Sequence, residues 1–146
     1  MATVKQLLQK KGTEVYSVPL NSTVYQALVL MSEKGCGAVI VLEGEAIAGI
    51  FSERDYARKV LNENCSMDMS VESFMTREVY AVSPESSIDE CMTLMTQKKF
   101  RHLPVVDKNK MIGVISIGDI VKDVIENKEI LIRSLENYIV GHEYNQ

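Results

Sequence analysis

Tryptophan is absent from these 146 residues, and cysteine, proline and histidine are scarce, at three, three and two. Each shortage excludes something. Cys36, Cys65 and Cys91 are an odd number without a CxxC pair, so free thiols in a reducing compartment are expected rather than a disulfide framework. No cationic cluster flanks them in sequence, which argues against a low-pKa redox thiolate. The histidines, His102 and His142, make no HExxH and no paired Cys/His metal spacing, and P-loop and GxGxxG patterns are missing as well. No nucleophile, base and orienting group come into view together, so no reaction is assigned and His142 reads as an incidental surface residue.

Positive charge is not in excess either. Lys and Arg number 16 against 20 Asp and Glu, a formal charge of −4, so a nonspecific nucleic-acid or anionic-membrane binder is not expected. Apolar runs such as "GAVIVL" at 37–42 fall far short of the roughly 20 residues that span a bilayer. "MATVKQLLQKKG" has no signal-peptide core, and the expected location is the cytoplasm. What remains is a 46% hydrophobic, 25% charged chain, ordinary for a soluble protein and long enough to bury a sizeable core.

What the chain does have is a repeat. "GIFSERDYARKV" starts at Gly49 and "GVISIGDIVKDV" at Gly113. An offset of 64 also pairs Tyr16 with Tyr80, Val18 with Val82, Ser22 with Ser86, Met31 with Met95, Val41 with Val105, Ser52 with Ser116 and Asp55 with Asp119. Two copies at so long a period point to a pseudo-twofold pair rather than a solenoid.

Each copy parses as strand, helix, strand, strand, helix. "EVYSVPLNS" and "EVYAVSPESS" read as short extended stretches; Val24, Ala27, Leu28 and Met31 then share one helical face, as do Ile88, Cys91, Met92 and Met95. Capping boxes Thr23-x-x-Gln26 and Ser87-x-x-Glu90 open these helices, and Gly35 closes the first. Apolar strands "VIVL" and "IAGIF", then "LPVV" and "MIGVI", follow, and closing helices begin near Ser52 and Ser116. The expected organisation is a helix over 1–13 completing the first unit, unit one over 14–61, a linker over 62–76, unit two over 77–126, and a helical tail over 127–146. In that tail Ile130, Arg133, Leu135, Tyr138 and Ile139 make a mixed pattern whose apolar face could cap the core or pair with another chain.

Ser52-x-x-Asp55 and Ser116-x-x-Asp119 read first as capping boxes, in which the hydroxyl accepts from a first-turn N–H and the acid reaches back. The same helix start also attracts phosphate, because its N–H groups are free and its dipole end is positive. A serine hydroxyl there can donate to a phosphate oxygen and the neighbouring carboxylate can accept from both vicinal hydroxyls of a ribose, a combination that fits a ribonucleotide. Arg54 and Arg58 stand one turn apart beside the first motif, while Arg101 precedes strand "LPVV" and Arg77 stands near the entrance of the second unit. Arginines converging from two halves would make an anion pocket, with solvated surface charge as the plain alternative. His102 fits either beside a phosphate or at the edge of a core strand.

The stretches "GIFSERD", "RHLPVVD" and "GVISIGD" resemble those of tandem CBS domains, the Bateman module, over residues 14–126. "SERDYARKV", "FMTREV", "SIGDIVKDVI" and "LENYI" look most like the small stand-alone members of that family. The resemblance implies an α/β (α+β) fold of two pseudo-symmetric βαββα units packed sheet to sheet, with two clefts for an adenosine ligand: AMP, ADP, ATP, NAD or S-adenosylmethionine. Asp55 and Asp119 would hold ribose, and Ser52 and Ser116 would contact ribose or phosphate. Arg101 and His102 take the place of phosphate-facing basic residues. Backbone at Tyr16, Ser17 and Val18, and at Tyr80 and Val82, would read adenine, with Gly37 and Ala38 leaving room. Thr76 and Pro104 complete the expected ligand-binding set. The implied role is regulatory, in a homodimer that acts on another protein, with no required cofactor, no metal, no nucleic acid and no membrane. A scaffold with vestigial clefts and a nucleotide-processing enzyme are the alternatives. The copies differ at Cys36-Gly37-Ala38 against Phe100-Arg101-His102, and at Arg54 against Gly118, so the two sites are expected to be unequal.

Overall fold

Alternation of the apolar strands decides which surface is covered. The structure, a computed structural model, describes the backbone of residues 2–62 and 65–144 and the side chains of those up to residue 137, so the expectations at Tyr138, Ile139 and His142 lie outside the described side chains. Helix α1 (Val4–Lys11) comes first. Unit one then runs β1 (Ser17–Pro19), α2 (Val24–Lys34), β2 (Ala38–Glu43), β3 (Ala46–Ser52) and α3 (Glu53–Lys59). After a 3₁₀ turn at Val71–Ser73, unit two runs α4 (Ile88–Lys98), β4 (His102–Asp107), β5 (Lys110–Ser116) and α5 (Ile117–Tyr144).

The hairpins of the two units match residue by residue. β2 and β3 pair antiparallel with a bulge at Val41/Leu42, and β4 and β5 do the same with a bulge at Val105/Val106, 64 positions on. Val39 and Val41 point into one core with Val24, Ala27 and Met31 of α2; Leu103 and Val105 point into another with Ile88, Cys91 and Met95 of α4. Strand period two sends Ile40 and Pro104 to the opposite faces, turned towards the other copy, where both are buried too. The sheets are therefore covered by helices on one side and by each other on the other, as βαββα units of mixed α/β class.

One strand is lost in the second copy, and a proline explains it. In unit one β1 runs parallel to β2, and Ile40 N–H donates to the Tyr16 carbonyl at 3.0 Å. The residue equivalent to Ile40 is Pro104, which has no N–H, so Tyr80 receives no such bond and only the Val82–Val105 bridge remains of the ladder.

Two boundaries differ from those the sequence suggested. Helix α1 packs on the second unit, not the first: Val4, Leu7 and Leu8 are buried beside Leu103, Val105 and Ile115. Conversely, Val71, Phe74 and Met75 of the linker fill the core of the first unit. The crossing is symmetric. Val4 N–H donates to Ser86 O at 2.9 Å and Val71 N–H to Ser22 O at 2.8 Å; Ile88 N–H donates to Ala2 O at 3.0 Å and Val24 N–H to Met69 O at 2.9 Å. Helix α1, at eight residues, is too short to persist alone, and each apolar side chain it buries is worth roughly 1.5–3 kcal/mol. The tail is likewise no separate element. Helix α5 continues straight through position 126, because neither Gly nor Pro occurs from Asp119 to Val140 to stop it.

Candidate functional site

Where β3 turns into α3, the pairing of Ala38 with Ser52 and a bond from Glu53 N–H to Gly37 O (3.0 Å) hold the helix start against the neighbouring strand. His102 paired with Ser116, and Ile117 N–H donating to Arg101 O (2.8 Å), repeat this in unit two. Both capping boxes form. Asp55 N–H donates to Ser52 Oγ (3.2 Å) and Ser52 N–H to Asp55 Oδ2 (2.9 Å); Asp119 N–H donates to Ser116 Oγ (3.1 Å) and Ser116 N–H to Asp119 Oδ2 (2.8 Å). In each box one carboxylate oxygen does the capping. A carboxylate offers about four lone-pair positions, so capacity for a ligand is left over.

These helix starts open onto two clefts, each built from both copies. The first encloses about 400 Å³ between Ser52, Arg54, Asp55 and Arg58 of one unit and Tyr80, Phe100, Arg101 and His102 of the other, with Thr76 also in its lining. Lys98 and Lys99 add to the lining, which carries five cationic side chains against Glu53, Asp55 and Glu78. The charge of Arg101, then some loss of hydration and the charge of Arg58, hold the Arg54 guanidinium below its ordinary value. Among the described residues Arg54, Arg58 and Arg101 form no ion pair, so positive charge from both copies gathers here in excess of the three carboxylates that line the cleft. Lys99 sits at the left-handed helix cap (φ 60°) where copy one has Gly35, a conformation that costs a non-glycine residue about 1 kcal/mol. A lysine is thereby kept at the cleft wall.

The second cleft, about 380 Å³, joins Ser116 and Asp119 to Tyr16, Cys36, Gly37 and Ala38. Its charge is different in kind. Among the described residues Lys11 is the one Lys or Arg in its lining, against Glu14 and Asp119, and that ammonium already donates to Asp119 Oδ2 and to Val114 O, each at 2.6 Å. Burial pushes the Asp119 carboxyl up, but the bond from Lys11, the Ser116 N–H and the charge of Lys11 outweigh it and leave the group below its ordinary value. His102 lines both clefts. Burial holds its imidazole below 6.5, more than the charge of Asp119 raises it, so at neutral pH His102 offers hydrogen bonds rather than a positive charge.

Of the residues expected from sequence, the first cleft gathers Gly37, Ser52, Arg54, Asp55, Arg58, Thr76, Tyr80, Arg101 and His102, and the second gathers Tyr16, Gly37, Ala38, His102, Ser116 and Asp119. Val18 and Val82 are core residues, Pro104 is buried, and Ser17 lines neither cleft. Arg77 is turned away and paired with Glu72 at 2.8 Å. Sequence reasoning passed over Lys11, Glu14, Glu78, Lys98 and Lys99 as site residues. For Lys11 a signal existed: Val4-x-x-Leu7-Leu8 mirrors Val71-x-x-Phe74-Met75 once three extra residues are allowed before Glu14, which places α1 opposite the linker. The cysteines hold no cluster with metal-ligand neighbours among the described residues, and burial followed by the charge of Glu90 pushes the Cys91 thiol up to about 11. Among the described residues no helix is long and apolar enough to cross a membrane.

Comparison with known proteins adds four findings. Residues 4–62 and 71–126 each match the CBS domain, and the first match includes α1. The mitochondrial CBS domain-containing protein CBSX3 of Arabidopsis thaliana is 35% identical over 95% of this chain and 72% of its own length. A CBS-domain protein from Burkholderia ambifaria MC40-6 superimposes with a TM-score of 0.81 at 53% identity, covering 86% of this chain and 95% of its own. CBSX2, solved in complex with AMP, is alike in fold (TM-score 0.67, 24% identity, 88% of this chain and 99% of its own).

Proposed function

The chain belongs to the CBS-domain family as a tandem pair, and from that premise we propose that it is a regulatory module whose first cleft binds an adenine nucleotide. One observation carries this reading: Ser52 and Asp55, suited to phosphate and ribose, share a cleft of about 400 Å³ with three guanidiniums drawn from both copies. That volume is within the roughly 300–1,000 Å³ of small-molecule sites. The phosphate chain lies against Arg54, Arg58 and Arg101, the ribose diol donates to Asp55, and the base lies towards Tyr80, whose carbonyl lacks the strand partner that Tyr16 has. A ligand spanning both copies binds tightest to one relative arrangement of them and so shifts the population towards it. We take this shift to be the signal, read by a partner protein.

The assembly we propose is a homodimer. Ile117, Val121 and Ile125 recur every four residues along α5 and are each 42–51% exposed, an apolar stripe that a second copy would cover.

Thermal denaturation with AMP, ADP, ATP, NAD, NADH and S-adenosylmethionine tests the reading, since a ligand that binds the folded form raises its melting temperature by mass action. At least one should raise it by several degrees at millimolar concentration. No shift with any of them favours a scaffold with vestigial clefts, and product seen on chromatography of the incubated nucleotide favours an enzyme.

A further inference from the structure

Equivalent acceptors in the two clefts are satisfied by different donors. In the first, Thr76 N–H donates to Ile50 O (2.8 Å) and Thr76 Oγ1 to Asp55 Oδ1 (3.2 Å). In the second, the matching carbonyl and carboxylate, Val114 O and Asp119 Oδ2, both accept from Lys11 Nζ at 2.6 Å. A neutral hydroxyl that can rotate away in one copy is replaced by a charged donor in the other.

We propose that Lys11 is a built-in competitor for the second cleft, holding Asp119 until a ribose displaces it; this rests on the ribose role assigned to the aspartates above. A vicinal diol that donates one O–H to each carboxylate oxygen needs Oδ2 as well as Oδ1. Asp119 Oδ2 already carries the Ser116 N–H and the Lys11 ammonium. A charge-assisted bond is roughly twice as strong as a neutral one. The pair is shielded as well, with Lys11 and Asp119 only 29% and 25% exposed. Lys11 is also positioned in advance. Its neighbour Lys10 pairs at 3.3 Å with Asp123, one turn further along α5, and Asp123 is buried and takes a second bond from Asn127 at 3.2 Å. The end of α1 is thus fixed on α5 with the ammonium held between Asp119 and Val114 O. The second cleft is consequently the weaker of the two and fills at higher ligand concentration.

Adenosine, which has the diol and no phosphate, isolates the competition from any attraction between Lys11 and phosphate. Calorimetric titration of the full chain carrying Asp55→Ala reads the second cleft. Adding Lys11→Met to that chain should tighten adenosine about ten-fold, about 1.4 kcal/mol, and leave 2′,3′-dideoxyadenosine unchanged. Lys11→Arg, which keeps the charge, should bind adenosine no more tightly than its Lys11 parent and controls for any packing effect of the methionine. Adenosine binding that weakens or stays the same in Lys11→Met overturns the proposal, as does an equal gain for the dideoxy compound. Absence of adenosine binding in both Asp55→Ala chains overturns it too. If the unaltered chain then still binds ATP, the proposed function survives without the competitor; if it binds no nucleotide, both fall.

Discussion

The Leu8 side chain fills the space over Gly113, with a methyl carbon 2.8 Å from where a Cβ on that glycine would stand. Leu8 belongs to α1 and Gly113 to β5, so the contact ties the first element of the chain to the second unit. The matching Gly49 is crowded from the linker, by Thr76 O at 2.6 Å and Met75 Sδ at 2.8 Å.

These contacts make the two glycines unequal to substitution. Gly113→Ala meets only the end of a flexible side chain and should cost about 1–3 kcal/mol in urea unfolding. Gly49→Ala meets a backbone carbonyl in the Ile50–Thr76 bridge and should cost more. Leu8→Ala alone opens a core cavity worth about 2–5 kcal/mol, yet combined with Gly113→Ala it should cost clearly less than the sum. Additive losses would show that α1 does not pack on β5.

Removing Arg101 should separate stability from binding. Its charge is the leading cause of the shift at Arg54, so Arg101→Ala relieves a repulsion and should leave the melting temperature of the unliganded chain unchanged or raised. The same variant should lose more affinity for ATP than for AMP, because each further phosphate adds charge that this cluster neutralises. Equal losses for the two nucleotides would place the phosphates elsewhere.

His102 makes stability fall with acidification in a definite window. Its folded value lies below 6.5, so as pH drops below about 6.5 the unfolded chain takes up a proton that the native chain does not, and folding is disfavoured. The groups that act on it are Asp119 and Asp55, which raise its value, and Lys11 and Arg101, which lower it. His102→Gln should therefore show a shallower decline in melting temperature between pH 6.5 and 5 than the unaltered chain. Parallel curves would mean that the imidazole is not buried.

The local features were legible because they are written locally. Capping residues, the helical faces of α2 and α4 and the repeated Ser-x-x-Asp each sit within a few positions, and the duplication at a fixed offset of 64 brought Asp55 and Asp119 into one scheme. The exchange of α1 and the linker was not legible at that offset, because Val4 and Val71 lie 67 apart. Lys98 and Lys99 lie at the C-terminal end of α4, where a cation is favoured in any case, and only the meeting of the two copies brings them into one cleft with the arginines. Arg77 misled for the opposite reason: its partner Glu72 lies in the 3₁₀ turn, a geometry that spacing alone does not suggest. The loss of the first strand of unit two could have been anticipated, since Pro104 stands where a donor is needed.

The ribose contact at Asp55 is the claim on which the nucleotide reading turns, and calorimetric titration of Asp55→Ala with ATP and with 2′,3′-dideoxyATP tests it most directly. Hydrogen bonds to a charged group are worth about 1.5–3 kcal/mol, so ATP binding to the first cleft should weaken about 10- to 100-fold while the dideoxy compound, already without the diol, changes little. Any loss caused by the broken helix cap would fall on both ligands alike. Equal weakening of the two would contradict the account.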